Sequence, residues 1–79
     1  VPPTTPPPDW VLARRRVIGE HLRAARRQRG LTQMGLAEAA GLDRQAISAI
    51  ENGYSTPYLD TLILIAAAMD VPLADLMRE

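Results

Sequence analysis

The sequence contains no cysteine, no lysine and no phenylalanine, and it has a single histidine, His21. Without cysteine there is neither a disulfide-stapled mini-domain nor a cysteine-ligated zinc fold, and a reducing, cytoplasmic setting is expected. One histidine cannot build a multi-histidine metal site, so no metal and no cofactor is expected. Without lysine there is no GxxxxGK phosphate loop, and all nine cations are arginines. The aromatics are Trp10, Tyr54 and Tyr58 alone, so the core must come from Leu, Ile, Val, Ala and Met. Long apolar runs are missing as well. The longest, Leu62 to Met69, has eight residues, against about 20 for a bilayer span. The arginine run 14–16 is followed by Glu20, His21 and Arg23 rather than by an apolar stretch, which excludes a secretion signal. Nothing alternates with period two, so no strand is expected.

What is present favours helix. The chain has 79 residues, 47% hydrophobic and 23% charged, which bounds it to one small globular domain. Twelve alanines and ten leucines are strong helix formers. The formal net charge is zero, but the charge is unevenly placed. Residues 1–44 hold eight arginines against four carboxylates, and residues 45–79 hold one arginine against five. A neutral chain with one basic end can still engage a polyanion through that end.

Residues 1–8, VPPTTPPP, contain five prolines and are expected to be a disordered, extended arm without a cation to grip DNA. The domain proper is expected over 9–79. A first helix is expected from Asp9, as N-cap, with Val11, Ile18, Leu22 and Ala25 on one face and Gly30 just past its end. Trp10 is read as a staple packing on the domain, and His21 as a partly exposed histidine without a catalytic partner. Thr32 is the expected N-cap of a second helix carrying Leu36, Ala37 and Ala40. Asp43 opens a third with Ala46, Ile47 and Ile50 on one face, closed by Asn52-Gly53. A fourth runs from about Leu59 to Met69. It is apolar nearly all round, and is therefore expected to be the most buried. Asp70 and Pro72 end it, and Leu73, Leu76 and Met77 form a short fifth.

The second and third helices, joined by a turn containing Gly41, have the helix-turn-helix pattern. Ala37 must be small where the two helices cross, and Gly41 supplies a positive φ. Leu36, Ala40, Ile47 and Ile50 bury the shared side, which leaves Arg44, Gln45 and Ser48 outward and free to enter a major groove.

Residues 17–77 resemble the lambda-repressor-like (XRE, Cro/repressor-type) DNA-binding domain, most clearly in GLTQ, LAEAAGL, ISAIENG and LDTLILIAAAMDVPLADL. The resemblance implies an all-α fold, a compact five-helix bundle, whose third helix reads base edges. It further implies a homodimer on double-stranded, palindromic operator DNA and a role as transcriptional regulator and repressor. Carried over position by position, Arg44, Gln45, Ser48 and Ala49 fall at base-reading positions, Arg suiting guanine and Gln adenine. Gln33, at the start of the second helix with Thr32, falls on a phosphate. Asn52 stands where the family commonly places Asn near the DNA backbone.

The loop after the third helix, Gly53-Tyr54-Ser55-Thr56-Pro57, departs from the family in carrying no cation. Tyr54 and Ser55 are the expected phosphate donors there, and Gly35 also stands where charge is common. Of the first helix's exposed arginines, Arg23, Arg27 and Arg29, the last two are nearest the second helix, and Arg27 is taken as a phosphate contact. Arg26 and Glu51 both project from apolar faces, where an unpaired charge is costly. The resemblance implies that they pair across the first and third helices as a bidentate, desolvated structural ion pair. Dimer contacts are expected from the fifth helix alone, and a further effector domain in a longer chain is expected.

Two other functions were weighed against this one. An enzyme lacks its chemistry here: Asp70 and Asp75 are accounted for as residues flanking a helix start. The alternative of a helix-turn-helix domain used for protein–protein interaction, as adaptor or antitoxin, fits poorly with the polar Arg44-Gln45-Ser48 face, because protein interfaces anchor on large apolar side chains.

Overall fold

The computed structural model describes residues 6–79. They form five helices: α1 (Asp9–Gln28), α2 (Gln33–Ala40), α3 (Arg44–Glu51), α4 (Leu59–Met69) and α5 (Leu73–Met77). No strand occurs among the described residues. Five residues of the expected N-terminal arm, 1–5, lie outside the described part. The remainder, Pro6 to Pro8, leads directly into α1. Pro8 is the N-cap and Asp9 the first helical residue, so Asp9 makes no capping bond as expected of it. Its carboxylate instead faces the positive end of the helix dipole.

The 20 residues of α1 make it by far the longest element. What it buries begins only at Gly19 and continues through Leu22 and Arg26, where α3 and α5 pack against it. Trp10, two turns earlier, is 71% exposed. It is not the staple read from the sequence, because the elements that cover α1 lie nearer its C-terminal end.

The two short helices of the motif are fixed at both ends. The Thr32 hydroxyl accepts from Gly35 N–H at 2.9 Å and the Asp43 carboxylate from Ala46 N–H at 2.8 Å, each satisfying an otherwise orphaned donor. Between them Gly41, at φ 74°, lets Leu42 N–H reach back to the Ala37 carbonyl at 2.8 Å. This closure satisfies the Ala37 carbonyl in the last turn of α2 and turns the chain sharply into α3. The same closure ends α4, where the left-handed residue is Asp70 rather than glycine.

Leu22, Leu36, Ile47, Ile65, Met69 and Leu76 are fully buried and supply the centre of the core. Each large aliphatic side chain so buried is worth about 1.5–3 kcal/mol relative to exposure. Ala37 is also without exposure, at the contact of α2 with α3. α4 is not the wholly buried helix that its composition indicated. Leu62, Ile65, Ala66 and Met69 face inward, but Leu59, Ile63 and Leu64 are 61%, 46% and 48% exposed. α4 packs chiefly on α2 and α5, and these neighbours cannot cover a helix that is apolar all round. α5, expected to carry the free apolar area, commits Leu76 to the core and leaves Met77 partly open.

Candidate nucleic-acid interface

The eight residues of α3 divide by face. Ile47, Ile50 and Glu51 are buried, whereas Arg44 and Gln45 are exposed and Ser48 and Ala49 half-buried. The outward row is thus Arg44, Gln45, Ser48 and, beyond the last turn, exposed Asn52. All four present polar groups to solvent along one side of a helix narrow enough to enter a major groove.

Behind this row lies a polar network around Glu51, whose side chain is wholly buried. Arg26 donates to it through two nitrogens, Nε to Oε2 at 2.6 Å and Nη2 to Oε1 at 3.0 Å. Arg26 Nη1 also donates to the Leu31 carbonyl at 2.9 Å, which ties the α1–α2 connection to the same point. Two further donors reach Glu51 Oε1: Arg23 Nε at 3.2 Å and Gln33 Nε2 at 3.3 Å. Burial pushes the Glu51 carboxyl up. The hydrogen bonds from Arg26, Gln33 and Arg23, with the nearby charge of Arg26, outweigh that and hold it below the ordinary value. The hydrogen bond to Glu51 raises Arg26 despite its own desolvation. Both groups therefore stay charged and joined.

The network continues to the surface. Gln33 Oε1 accepts from Arg44 Nη1 at 3.4 Å, which places the start of α2 beside the start of α3. Arg23 Nη2 donates to Asn52 Oδ1 at 3.2 Å. Asn52 Nδ2 donates to the Ser48 carbonyl at 2.9 Å and lies 3.4 Å from its Oγ. Arg23 is therefore not the solvent-facing residue read from the sequence: it joins α1 to the C-terminal end of α3.

Two residues that the sequence reading gave no part in the site position this surface. One is Arg23. The other is Gly19, where a Cβ would fall inside van der Waals contact of the Ile50 and Glu51 carbonyl oxygens. These carbonyls belong to the last turn of α3, so the backbone of α1 sets how closely α3 can seat. The signal was present as spacing: Gly19, Arg23 and Arg26 stand at i, i+4 and i+7 on one stripe of α1, and a glycine inside a helical pattern marks close approach of another backbone.

The remaining expected contacts separate. Thr32, Arg27 and Tyr54 are exposed, Tyr54 by 83%. Arg29 donates to the Asp70 carbonyl at 3.1 Å and so joins the end of α1 to the end of α4. Ser55 must be corrected. Its Oγ is buried without a hydrogen-bond partner, in a residue that lines, with Arg15, Ile18, Ile50 and Leu62, a pocket of about 120 Å³. A hydroxyl pointing inward there cannot serve a phosphate outside. Among the described residues no group of His, Asp and Glu has the arrangement of a metal site. No helix there is long and apolar enough to cross a membrane.

The helix-turn-helix family model matches residues 22–76. The chain is 36% identical over 62 residues to the immunity repressor protein of Bacillus phage phi105, covering 78% of this chain and 43% of that protein. It is 37% identical over 62 residues to the HTH-type transcriptional regulator YqaE of Bacillus subtilis, covering 78% and 53%. It thus spans about half the length of these curated relatives. The crystal structure of the restriction-modification controller protein C.AhdI from Aeromonas hydrophila superposes with a TM-score of 0.80 at 32% identity, covering 82% of this chain and 94% of that one.

Proposed function

The chain belongs to the helix-turn-helix family, and from that premise we propose that it is a sequence-specific DNA-binding transcriptional regulator, acting as a cytoplasmic repressor, whose α3 enters the major groove of its operator. One observation carries the reading: α3 exposes Arg44 and Gln45 while its opposite side is fixed by the buried Glu51 network. A side chain held on a rigid helix can discriminate a base edge, since bidentate Arg–guanine and Gln–adenine contacts are each worth about 1–3 kcal/mol. The α2 N-terminus beside it offers free N–H groups to a phosphate. Thr32, Gln33, Arg27, Asn52 and Tyr54 would border the same strand. That the phage relative is named an immunity repressor supports repression.

We place a second copy of the chain against α4. Leu59, Ile63, Leu64 and Ala67 share its exposed side, with Asp60 the single charge among them. A two-fold dimer would present two reading helices to half-sites about one helical turn, 10–10.5 bp, apart. The palindrome this implies is directly readable by selecting bound duplexes from a random pool. Arg44→Ala and Gln45→Ala should each weaken the selected operator by about 1–3 kcal/mol and relax one base position. If both bind it as wild type does, α3 is not the reading helix.

A further inference from the structure

Arg14-Arg15-Arg16 is the only run of three cations in the sequence, and the fold sends its members three ways. Arg14 pairs with Glu79, Nη2 to Oε1 at 3.1 Å. Arg15 is half-buried and lines the pocket beside Ser55. Arg16 is exposed and, among the described residues, belongs to none of the ion pairs. It lies against the chain that leaves α3. A Cβ on Gly53 would come 3.0 Å from Arg16 Cγ and 3.3 Å from its N and Cα. Gly53, at φ 74°, therefore has no side chain where the Arg16 stem passes. Arg23, seven residues on and so on the same stripe of α1, reaches Asn52 Oδ1 at 3.2 Å. α1 thus meets the end of α3 with one arginine and the loop after it with another.

That loop is where a cation is missing. The eight residues of α3 span about 12 Å at 1.5 Å per residue, and the major groove is about 12 Å wide. With Arg44 and Gln45 at base edges, the last turn of α3 and the loop beyond it come up to the phosphates that border the groove. Gly53 to Pro57 holds no charge, and Ser55 Oγ is buried. Asn52 and Tyr54 remain there as uncharged donors. Displacing the counterions of a phosphate takes a cation, and a guanidinium matches phosphate oxygens in bidentate fashion.

We propose that Arg16 supplies, from α1, the phosphate-binding cation that the loop between α3 and α4 lacks, its guanidinium meeting the DNA backbone beside Asn52 and Gly53. Arg16 precedes residues 22–76, which match the family model, so the contact belongs to the long first helix of this chain and not to the matched domain. It adds affinity for any sequence and no choice of base. The proposal rests on the DNA-reading function proposed above.

The salt dependence of binding tests it. Affinities of wild type, Arg16→Gln, Arg16→Lys and Arg14→Gln for the selected operator and for an unrelated duplex are measured from low to high salt, and each variant is melted. Arg14 is the control: it carries the same charge two positions away, more than half a turn around α1, and is paired with Glu79. Arg16→Gln should bind both duplexes several-fold more weakly at low salt. Its salt slope should be shallower by about 0.9 per bound chain, with base preferences and melting as in wild type. Arg16→Lys and Arg14→Gln should keep the wild-type slope. The proposal is overturned if Arg16→Gln keeps that slope, or if Arg14→Gln changes it as much, which would be an effect of net charge. It is overturned equally if Arg16→Lys falls with Arg16→Gln, or if affinity and melting fall together, either of which makes Arg16 a packing residue. A wild-type domain that binds no duplex at low salt removes the DNA-reading function and this proposal with it. Wild-type binding with an unmoved slope in Arg16→Gln removes the Arg16 contact alone.

Discussion

Glu51 has no exposed side-chain surface and four hydrogen bonds, three of them from arginines. Taking away one partner leaves a desolvated charge, which costs about 3–5 kcal/mol, although the intact pair is worth little against a well-packed apolar one. Arg26→Ala should therefore lower the melting temperature by more than about 10 °C, with DNA affinity lost only as far as the domain unfolds. Unchanged melting with a shallower salt dependence would make Arg26 a phosphate contact instead. The sign of the acid response also follows. The folded Glu51 carboxyl lies below its ordinary value of 4.5, so its contribution is complete above that pH and is lost as pH falls through the folded value. Melting temperature should fall on acidification below about pH 4.5, and Glu51→Gln, less stable at neutral pH, should show a shallower fall across the same window. Melting curves between pH 3 and 7 decide it. Arg26 and Glu51 were legible from the sequence because a charge on an apolar face needs a partner. Arg23 was read as solvent-facing although it shares a stripe with Gly19 and Arg26, because the spacing gives the stripe and not how far along it α3 reaches.

At the scale of elements, the contact of α1 with α3 is set by backbone. A methyl at position 19 meets the carbonyls that end α3, and neither backbone can rotate away as a side chain could. Gly19→Ala should cost about 1–3 kcal/mol as an overpacked contact, despite the helix propensity gained, and should weaken operator binding by tilting α3. A melting temperature at or above wild type would show that α1 and α3 separate freely. The number and limits of the helices were legible because each end of α2 and α3 carries local chemistry: Thr32 and Asp43 as caps, Gly41 and Gly53 in left-handed conformation. The start of α1 misled. Asp9 is a good capping residue by type, but Pro8 already occupies the cap and Asp9 enters the first turn.

For the whole molecule, the undecided quantity in the sequence was which apolar face lacks a cover. Periodicity shows that a face is apolar; only the arrangement of neighbours shows whether anything lies on it. This is why α4 was read as central and α5 as open, while the structure leaves Leu59, Ile63 and Leu64 at the surface. If that face receives a second copy, Ile63→Asp should abolish the dimer in sedimentation and convert cooperative occupancy of a palindrome into independent binding to half-sites. The melting temperature should be nearly unchanged, because Ile63 is already exposed. A dimer surviving Ile63→Asp and Leu64→Arg together would move the interface elsewhere. The charge asymmetry also survives folding. Asp60, Asp70, Asp75 and Glu79 belong to the α4–α5 half and Arg23, Arg27 and Arg44 to the α1–α3 half, so a polyanion approaches a neutral molecule in one orientation.

The shortness of α3 has a kinetic meaning. Eight residues are too few to persist as a helix in water, where isolated helices below about 12–15 residues are marginal. Its hydrogen bonds survive because Glu51, near its last turn, is fastened to a helix 25 positions earlier in the chain. α3 thus has no local route to opening. Its amide protons should exchange with deuterium only when the entire domain unfolds, as slowly as those around Leu22 and Ile65, although the helix lies at the surface.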